Sequence, residues 1–133
     1  MNKILRLLIV EDIASDAELV KHELSKSGMK FDIRIVELQQ DYIDQIKSFD
    51  PELILSDYNL PLFDGMRALK LREELAPQTP FILVTGTNNE EIAVECMKAG
   101  ADDYVLKDNL TRLNEAIKSA IRKKEIIRSK NAA

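Results

Sequence analysis

The stretch PELILSDYNLPLFDGMRALKLREEL, residues 51–75, changes its period halfway along. Glu52–Asp57 is short and nearly continuous in Leu and Ile, which suits a strand buried on both faces of a parallel sheet. Tyr58-Asn59-Leu60-Pro61 interrupts it, and Asp64-Gly65 opens the next segment. From there Met66, Leu69 and Leu75 take up a helical spacing that stops before Pro77. A strand that turns into a helix is half of a strand–helix–strand unit. The fold depends on whether that unit repeats.

It does. Four further runs rich in Ile, Val and Leu read as strands: Ile4–Val10, Phe31–Glu37, Pro80–Thr85 and Asp102–Leu106. Helical segments lie between and after them. Ala17, Val20 and Leu24 mark one that closes near Gly28; Tyr42, Ile43 and Ile46 mark one that stops before Pro51. Ile92, Cys96 and Ala99 mark another, closed by Gly100. The clearest is the last, where Leu113, Ala116, Ile117, Ala120 and Ile121 follow i, i+3, i+4, i+7, i+8. Five strands alternating with five helices give an α/β class and a single doubly wound (βα)5 domain with helices on both faces of the sheet. A chain of 133 residues has room for one such domain.

Composition narrows the function. Hydrophobic residues make up 45% and charged residues 32%, a globular balance that leaves no room for a fibre or a long disordered tail. No apolar run exceeds the length of Leu7–Val10, so no membrane insertion is expected, and Met1–Val10 lacks the apolar core and cleavage site of a signal peptide. The single cysteine, Cys96, has no internal partner and reads as a buried small hydrophobe in a cytoplasmic protein. Net charge is −4, but Lys118–Ala133 carries six bases against one acid, which leaves an acidic body of −9. That body disfavours direct nucleic acid binding, and the basic segment reads as a solvated helix face.

In a doubly wound sheet, ligands bind at the carboxyl ends of the strands, near the switch in strand order. Glu11 and Asp12 follow the first strand, with Ser15 and Asp16 at the start of the next helix. Asp57 follows the third, Thr85-Gly86-Thr87 ends the fourth, and the fifth leads into Lys107. Three acids, a hydroxyl and a lysine therefore meet at one edge of the sheet. Taken singly, each is a turn residue, a cap or a solvated charge. Their joint placement at four of five strand ends is what carries meaning.

Carboxylates held together repel, and burial makes this worse. A hard divalent cation relieves the repulsion, and a ligand set of oxygen alone favours Mg²⁺ (or Mn²⁺). Lys107 supplies a point charge for a phosphoryl oxygen and Thr85 a hydroxyl donor for another. This is equipment for phosphoryl transfer, with Asp57 the best candidate nucleophile because a carboxylate forms an aspartyl-phosphate.

With these residues in place, the chain resembles a response-regulator receiver domain of two-component signalling (CheY-like). The resemblance rests on LLIVED with Glu11 and Asp12, and on LILSDYNLPLFDG with Asp57, Pro61 and Gly65. It continues through FILVTGT with Thr85 and AGADDYVLK with Tyr104 and Lys107, and it covers residues 4 to 128. The stretch TGTNNEEIAVECMKAGADDYVLKDNL is most like receivers associated with hybrid sensor kinases. The resemblance implies a flavodoxin/CheY-like parallel sheet in the order 2-1-3-4-5, a domain over residues 1–128 and a frayed tail over 129–133. It implies that Asp57 accepts a phosphoryl group from the phosphohistidine of a histidine kinase or histidine phosphotransfer protein. Asp12 and Asp57 would ligate Mg²⁺ by side chain, Asn59 by its carbonyl and Glu11 through a coordinated water, while Thr85 and Lys107 bind the phosphoryl oxygens. Thr85 would then move toward the phosphate and Tyr104 turn inward, remodelling the face of the fourth helix, fifth strand and fifth helix. That face would meet a downstream protein or attached output domain, with the chain a monomer or weak dimer. Such a domain catalyses only its own phosphorylation and slow dephosphorylation.

Two positions depart from the family pattern. Where members carry Lys-Pro with a cis peptide, this chain has Lys107-Asp108; without proline a cis bond costs ~2.5–4 kcal/mol, so a trans bond is predicted. Gly86 replaces the commoner alanine and loosens the loop after Thr85. The lone histidine, His22, lies off the apolar stripe of its helix and reads as exposed, and Thr87 and Asn59 flank the site. Three other readings compete. A degenerate receiver acting only as a protein-interaction module is disfavoured because every site side chain is chemically competent. A phosphatase similar to the haloacid dehalogenase group needs an acid where Asn59 stands, and room for a cap. A dinucleotide-binding fold needs a glycine-rich loop after the first strand, which is missing.

Overall fold

A computed structural model describes residues 3–61, 63–86 and 90–131, without the side chains of 90 and 126–131. Five strands, β1 (Ile4–Val10), β2 (Lys30–Val36), β3 (Leu53–Ser56), β4 (Phe81–Thr85) and β5 (Asp103–Leu106), form one sheet in the order β2-β1-β3-β4-β5. Every pairing is parallel. The helices are α1 (Ala14–Ser25), α2 (Gln39–Phe49), α3 (Gly65–Leu75), α4 (Glu90–Lys98) and α5 (Leu113–Asn131). The expected strands differ from those observed by a residue at most at either end. α5 continues past the boundary expected at 128.

Side-chain alternation along the strands divides the interior in two. Leu7, Ile9, Leu53, Leu55, Ile82, Val84 and Val105 face α1 and α5, where Val20, Leu24, Leu113, Ala116, Ile117 and Ala120 cover them. Leu8, Val10, Ile54, Phe81 and Leu83 face the other way, against Tyr42 and Ile46 of α2, Ala68, Leu69 and Leu71 of α3 and Cys96 of α4. β3 and β4 are buried along their whole length, which explains their unbroken apolar runs. Each buried Leu, Ile or Val contributes roughly 1.5–3 kcal/mol. The central strands are thus the most firmly held part of the molecule. The tips of these strands carry the site.

Two local results differ from the sequence pattern. Leu75 is 38% exposed, whereas Arg72 is fully buried. The Arg72 guanidinium donates to the carbonyls of Thr79 (3.1 Å) and Gly100 (2.5 Å) and pairs with Glu73 at 2.9 Å. A buried cation without such partners costs several kcal/mol. With both terminal nitrogens partnered and Nε left without a hydrogen bond, it ties α3 to the segment that leads into β5. Helix α1 ends at Ser25, and Gly28 follows in the left-handed region (φ 79), where a side chain would strain the turn into β2.

Gly65 serves the site by close approach. A Cβ there would lie 2.8 Å from Tyr58 Cα and 2.9 Å from the Asp57 carbonyl oxygen, both backbone atoms. Its amide donates to the Tyr58 carbonyl at 2.9 Å, so α3 begins flush against the loop that carries Asp57. Asp64 caps that helix by accepting the Arg67 amide at 2.8 Å. Gly65→Ala is therefore expected to cost about 1–3 kcal/mol, because backbone rather than a flexible side chain has to move. Denaturant unfolding measures it, and a loss below about 0.5 kcal/mol, the scatter of ordinary surface changes, would show that the contact relaxes freely.

Candidate functional site

The chain leaves β1 for β2 on one side of the sheet, then crosses β1 to enter β3 on the other. The ends of β1 and β3 therefore border the crevice that such a reversal opens. Val10 pairs with Ser56 in register, so Glu11 and Asp57 emerge side by side. The Asp57 amide donates to the Val10 carbonyl at 2.9 Å, which extends the ladder to the functional residue itself. Carboxylate oxygens of Glu11, Asp12 and Asp57 all lie within 4.8 Å of one another.

These acids differ in surroundings. Asp57 is 5% exposed; its Oδ1 accepts the Asn59 amide at 3.4 Å and its Oδ2 the Lys107 ammonium at 3.0 Å. Glu11 accepts the Asp12 and Ile13 amides on Oε2 (3.1 and 3.2 Å) and meets Lys107 Nζ at 2.7 Å through Oε1. Burial pushes the Glu11 carboxyl up; the Lys107 hydrogen bond opposes this, the Asp57 charge adds to it, and the result is about 6. The Oδ1 of Asp12 is buried without a hydrogen-bond partner. Such an oxygen costs free energy unless something positive faces it. Three carboxylates, one with an unanswered oxygen, and no nitrogen or sulfur donor make a ligand set that fits a hard divalent cation.

Lys107 enters from β5, two strands away from β3. Its Nζ meets three carboxylates: Glu11 at 2.7 Å, Asp16 at 2.7 Å and Asp57 at 3.0 Å. Burial alone would lower its pKa, but hydrogen bonds to Asp16, Glu11 and Asp57 outweigh that and hold it above the ordinary lysine value. The Lys107–Asp108 peptide is trans, as predicted without proline. The chain then enters a short 3₁₀ turn, Lys107–Arg112, that the apolar pattern did not foreshadow, with Asn109 outside helical geometry (φ −137, ψ 51).

Thr85 is buried at the tip of β4, and Asn59 is exposed beside Asp57. Gly86 is exposed, and a Cβ there would meet only Lys107 Cδ, in ordinary van der Waals contact at 3.9 Å. Thr87 lies outside the described residues. Tyr104 lies away from the acids, half-buried, where it borders a shallow apolar groove with Ala93, Val94 and Met97. Arg112 holds it there. The guanidinium sits 6.0 Å from the Tyr104 ring centroid, donates to the Tyr104 carbonyl and bonds the Asp103 carboxylate at 3.0 and 3.2 Å. His22 is exposed and Cys96 is buried, as expected, and neither touches the site.

One site residue had no role in the sequence reading. Asp16 stands at the right end of the right helix, but nothing in its spacing from Asp12 says that its carboxylate turns to Lys107, 91 residues away. Only the fold makes them neighbours.

Known proteins agree with this geometry. Over 116 residues the chain is 37% identical to the regulatory protein LuxO of Vibrio cholerae, a match covering 86% of this chain and 25% of that protein. It is 31% identical over 131 residues to the regulatory protein AtoC of Escherichia coli, covering 95% of this chain and 28% of AtoC. The chain thus spans about a quarter of the length of each of these two curated relatives. The signal receiver domain of a LuxO repressor protein from Vibrio parahaemolyticus superposes with a TM-score of 0.81 at 28% identity, covering 93% of this chain and 95% of that one. A CheY-like receiver domain protein from Methanospirillum hungatei gives 0.79 at 30% identity, covering 92% and 98%. The family model of the response regulator receiver domain matches residues 7–118, and the chain belongs to that family.

Proposed function

We propose that this receiver domain, over residues 1–128, accepts a phosphoryl group on Asp57 from the phosphohistidine of a histidine kinase or histidine phosphotransfer protein. The observation that carries this reading is the pairing of Asp57 with Lys107 at 3.0 Å inside a cluster of oxygen ligands. An Asp57 oxygen attacks phosphorus, the P–N bond to the donor imidazole breaks, and the imidazole leaves with the bonding pair and takes up a proton. Asp57, Asp12, Glu11 and the Asn59 carbonyl would hold Mg²⁺. When bound, the ion neutralises the carboxylates and the charge on the transferring group. Lys107 and the Thr85 hydroxyl receive the other phosphoryl oxygens. The chain then acts as its own catalyst and as a signal rather than as an enzyme with a separate substrate.

Readout would follow through Thr85 and Tyr104. As the Thr85 hydroxyl moves to the phosphoryl group, Tyr104 turns toward the vacated space and leaves its place beside Arg112. The apolar groove it borders on α4 would change shape with it, making α4–β5–α5 the face for a downstream partner or output domain. Among the described residues no helix is long and apolar enough to cross a membrane. A cytoplasmic setting is consistent with that and with the need for a phosphohistidine donor.

Intact mass after incubation with acetyl phosphate tests the acceptor. Wild type is expected to gain one phosphoryl group only with Mg²⁺, and Asp57→Asn none; uptake by the variant at that site would overturn the assignment. A pH titration tests the ligand set. With its pKa pushed up to about 6, Glu11 is ionised at pH 7 and mostly protonated at pH 5. A proton therefore competes with the cation, and apparent Mg²⁺ affinity should fall as pH drops through 6, approaching about tenfold per unit below it. Calorimetric titration at pH 7, 6 and 5 measures this. A flat profile would remove Glu11 from the cation's surroundings.

A further inference from the structure

Asp16 does not belong to the acid triad, yet its Oδ2 lies 2.7 Å from Lys107 Nζ, as close as Glu11 and closer than Asp57 at 3.0 Å. It stands in the first turn of α1, and its side chain is 26% exposed, against 5% or less for Glu11 and Asp57. The ammonium is therefore shared between two buried acids of the cluster and one acid outside it.

That division matters because Lys107 and a divalent cation want the same oxygens. A lysine shared only by Glu11 and Asp57 would neutralise two of the three carboxylates that the cation needs. A third anion on the α1 side shares that positive charge while Nζ stays in contact with Glu11 and Asp57. The Lys107 side chain is only 15% exposed, so packing carries its stem, and the carboxylates decide where its tip lies. Gly86 presents no side chain to it, and the chain runs on through a trans peptide into a kinked 3₁₀ turn. The ammonium at the end of that four-carbon stem is placed by the anions around it.

We propose that Asp16 is a positioning residue for Lys107: it holds the ammonium beside Asp57 and takes up part of a charge that would otherwise fall wholly on the cation's ligands Glu11 and Asp57. This rests on the reading of Asp57 as a Mg²⁺-assisted acceptor. When phosphorus arrives on Asp57, Lys107 exchanges the Asp57 oxygen for a phosphoryl oxygen and retains Asp16 as its second partner. Asp16 touches neither the cation nor the phosphoryl group.

The test is a double-mutant cycle in Mg²⁺ affinity, read by calorimetry on the full chain at pH 7.5, for wild type, Asp16→Asn, Lys107→Ala and the double variant. Asp16→Asn is expected to weaken Mg²⁺ binding by about 3- to 10-fold, the lower part of the range of couplings between side chains in contact. In the Lys107→Ala background the same substitution should change affinity less than about twofold, since its effect runs through the lysine. Asp16→Glu, which keeps the anion, should recover most of the loss. Unchanged affinity in Asp16→Asn, or an equal loss in both backgrounds, overturns the proposal; the second result would make Asp16 a simple distant charge. Asp57→Asn separates the two levels. If it binds Mg²⁺ as wild type does, the site reading itself fails, and the positioning role fails with it. If its binding is lost while Asp16→Asn binds normally, only the positioning role fails.

Discussion

Three carboxylates whose oxygens lie within 4.8 Å of one another, on the tips of two buried strands, repel each other, and packing cannot hold them together. The ammonium of Lys107 opposes that repulsion. A unit pair at 3 Å attracts by about 5–6 kcal/mol at an effective dielectric of 20, before desolvation is subtracted. One positive charge cannot balance Glu11, Asp12, Asp57 and Asp16 together. Glu11 stays raised, chiefly by burial with the Asp57 charge adding to it, and one Asp12 oxygen is left unanswered. The site is built with an excess of negative charge, which makes it receptive to a cation and then to a phosphoryl group.

The placement of Lys107 depends in turn on the register of β4 and β5. Thr85 pairs with Leu106 and Leu83 with Tyr104, so a single alignment sets the hydroxyl, the ammonium and the aromatic ring. A slip of one residue would send every side chain of β5 to the opposite face. The apolar interior prevents this, because Val105 faces the α1–α5 core while Tyr104 packs toward the α2–α4 side. The strand tips and the groove beside α4 are therefore joined by a packed strand pair rather than a loop. Arg112 is bound to both Asp103 and Tyr104 and braces β5 at that edge.

Most of the fold was legible in the apolar periods. Leu7–Val10 and Phe81–Thr85 show up as strands because they are buried on both faces, and α5 because its stripe is nearly ideal. Periodicity failed where polar atoms do the packing. Arg72 is buried through carbonyl and carboxylate partners that come from α3 itself and from 79 and 100, a pattern with no local signature. Leu75 carries the right residue type at the right spacing and still faces outward, because α3 ends there. Gly65 was read as a helix-start residue; the lack of space beside the Asp57 backbone gives the stronger reason for it.

The sequence by itself determined which chemistry is available: acids after β1 and β3, a hydroxyl after β4 and a lysine after β5, each at a strand end where backbone geometry points it toward one edge. Periodicity alone delivers that, because alternation and strand termini are local properties. Tertiary structure decided which of those groups touch. Glu11 and Asp57 stand side by side because β1 and β3 are neighbours in the sheet. Lys107 reaches Asp16 across 91 residues because α1 and the end of β5 share one rim. Contact energies fall steeply with distance, and distances between remote segments exist only once the sheet has closed.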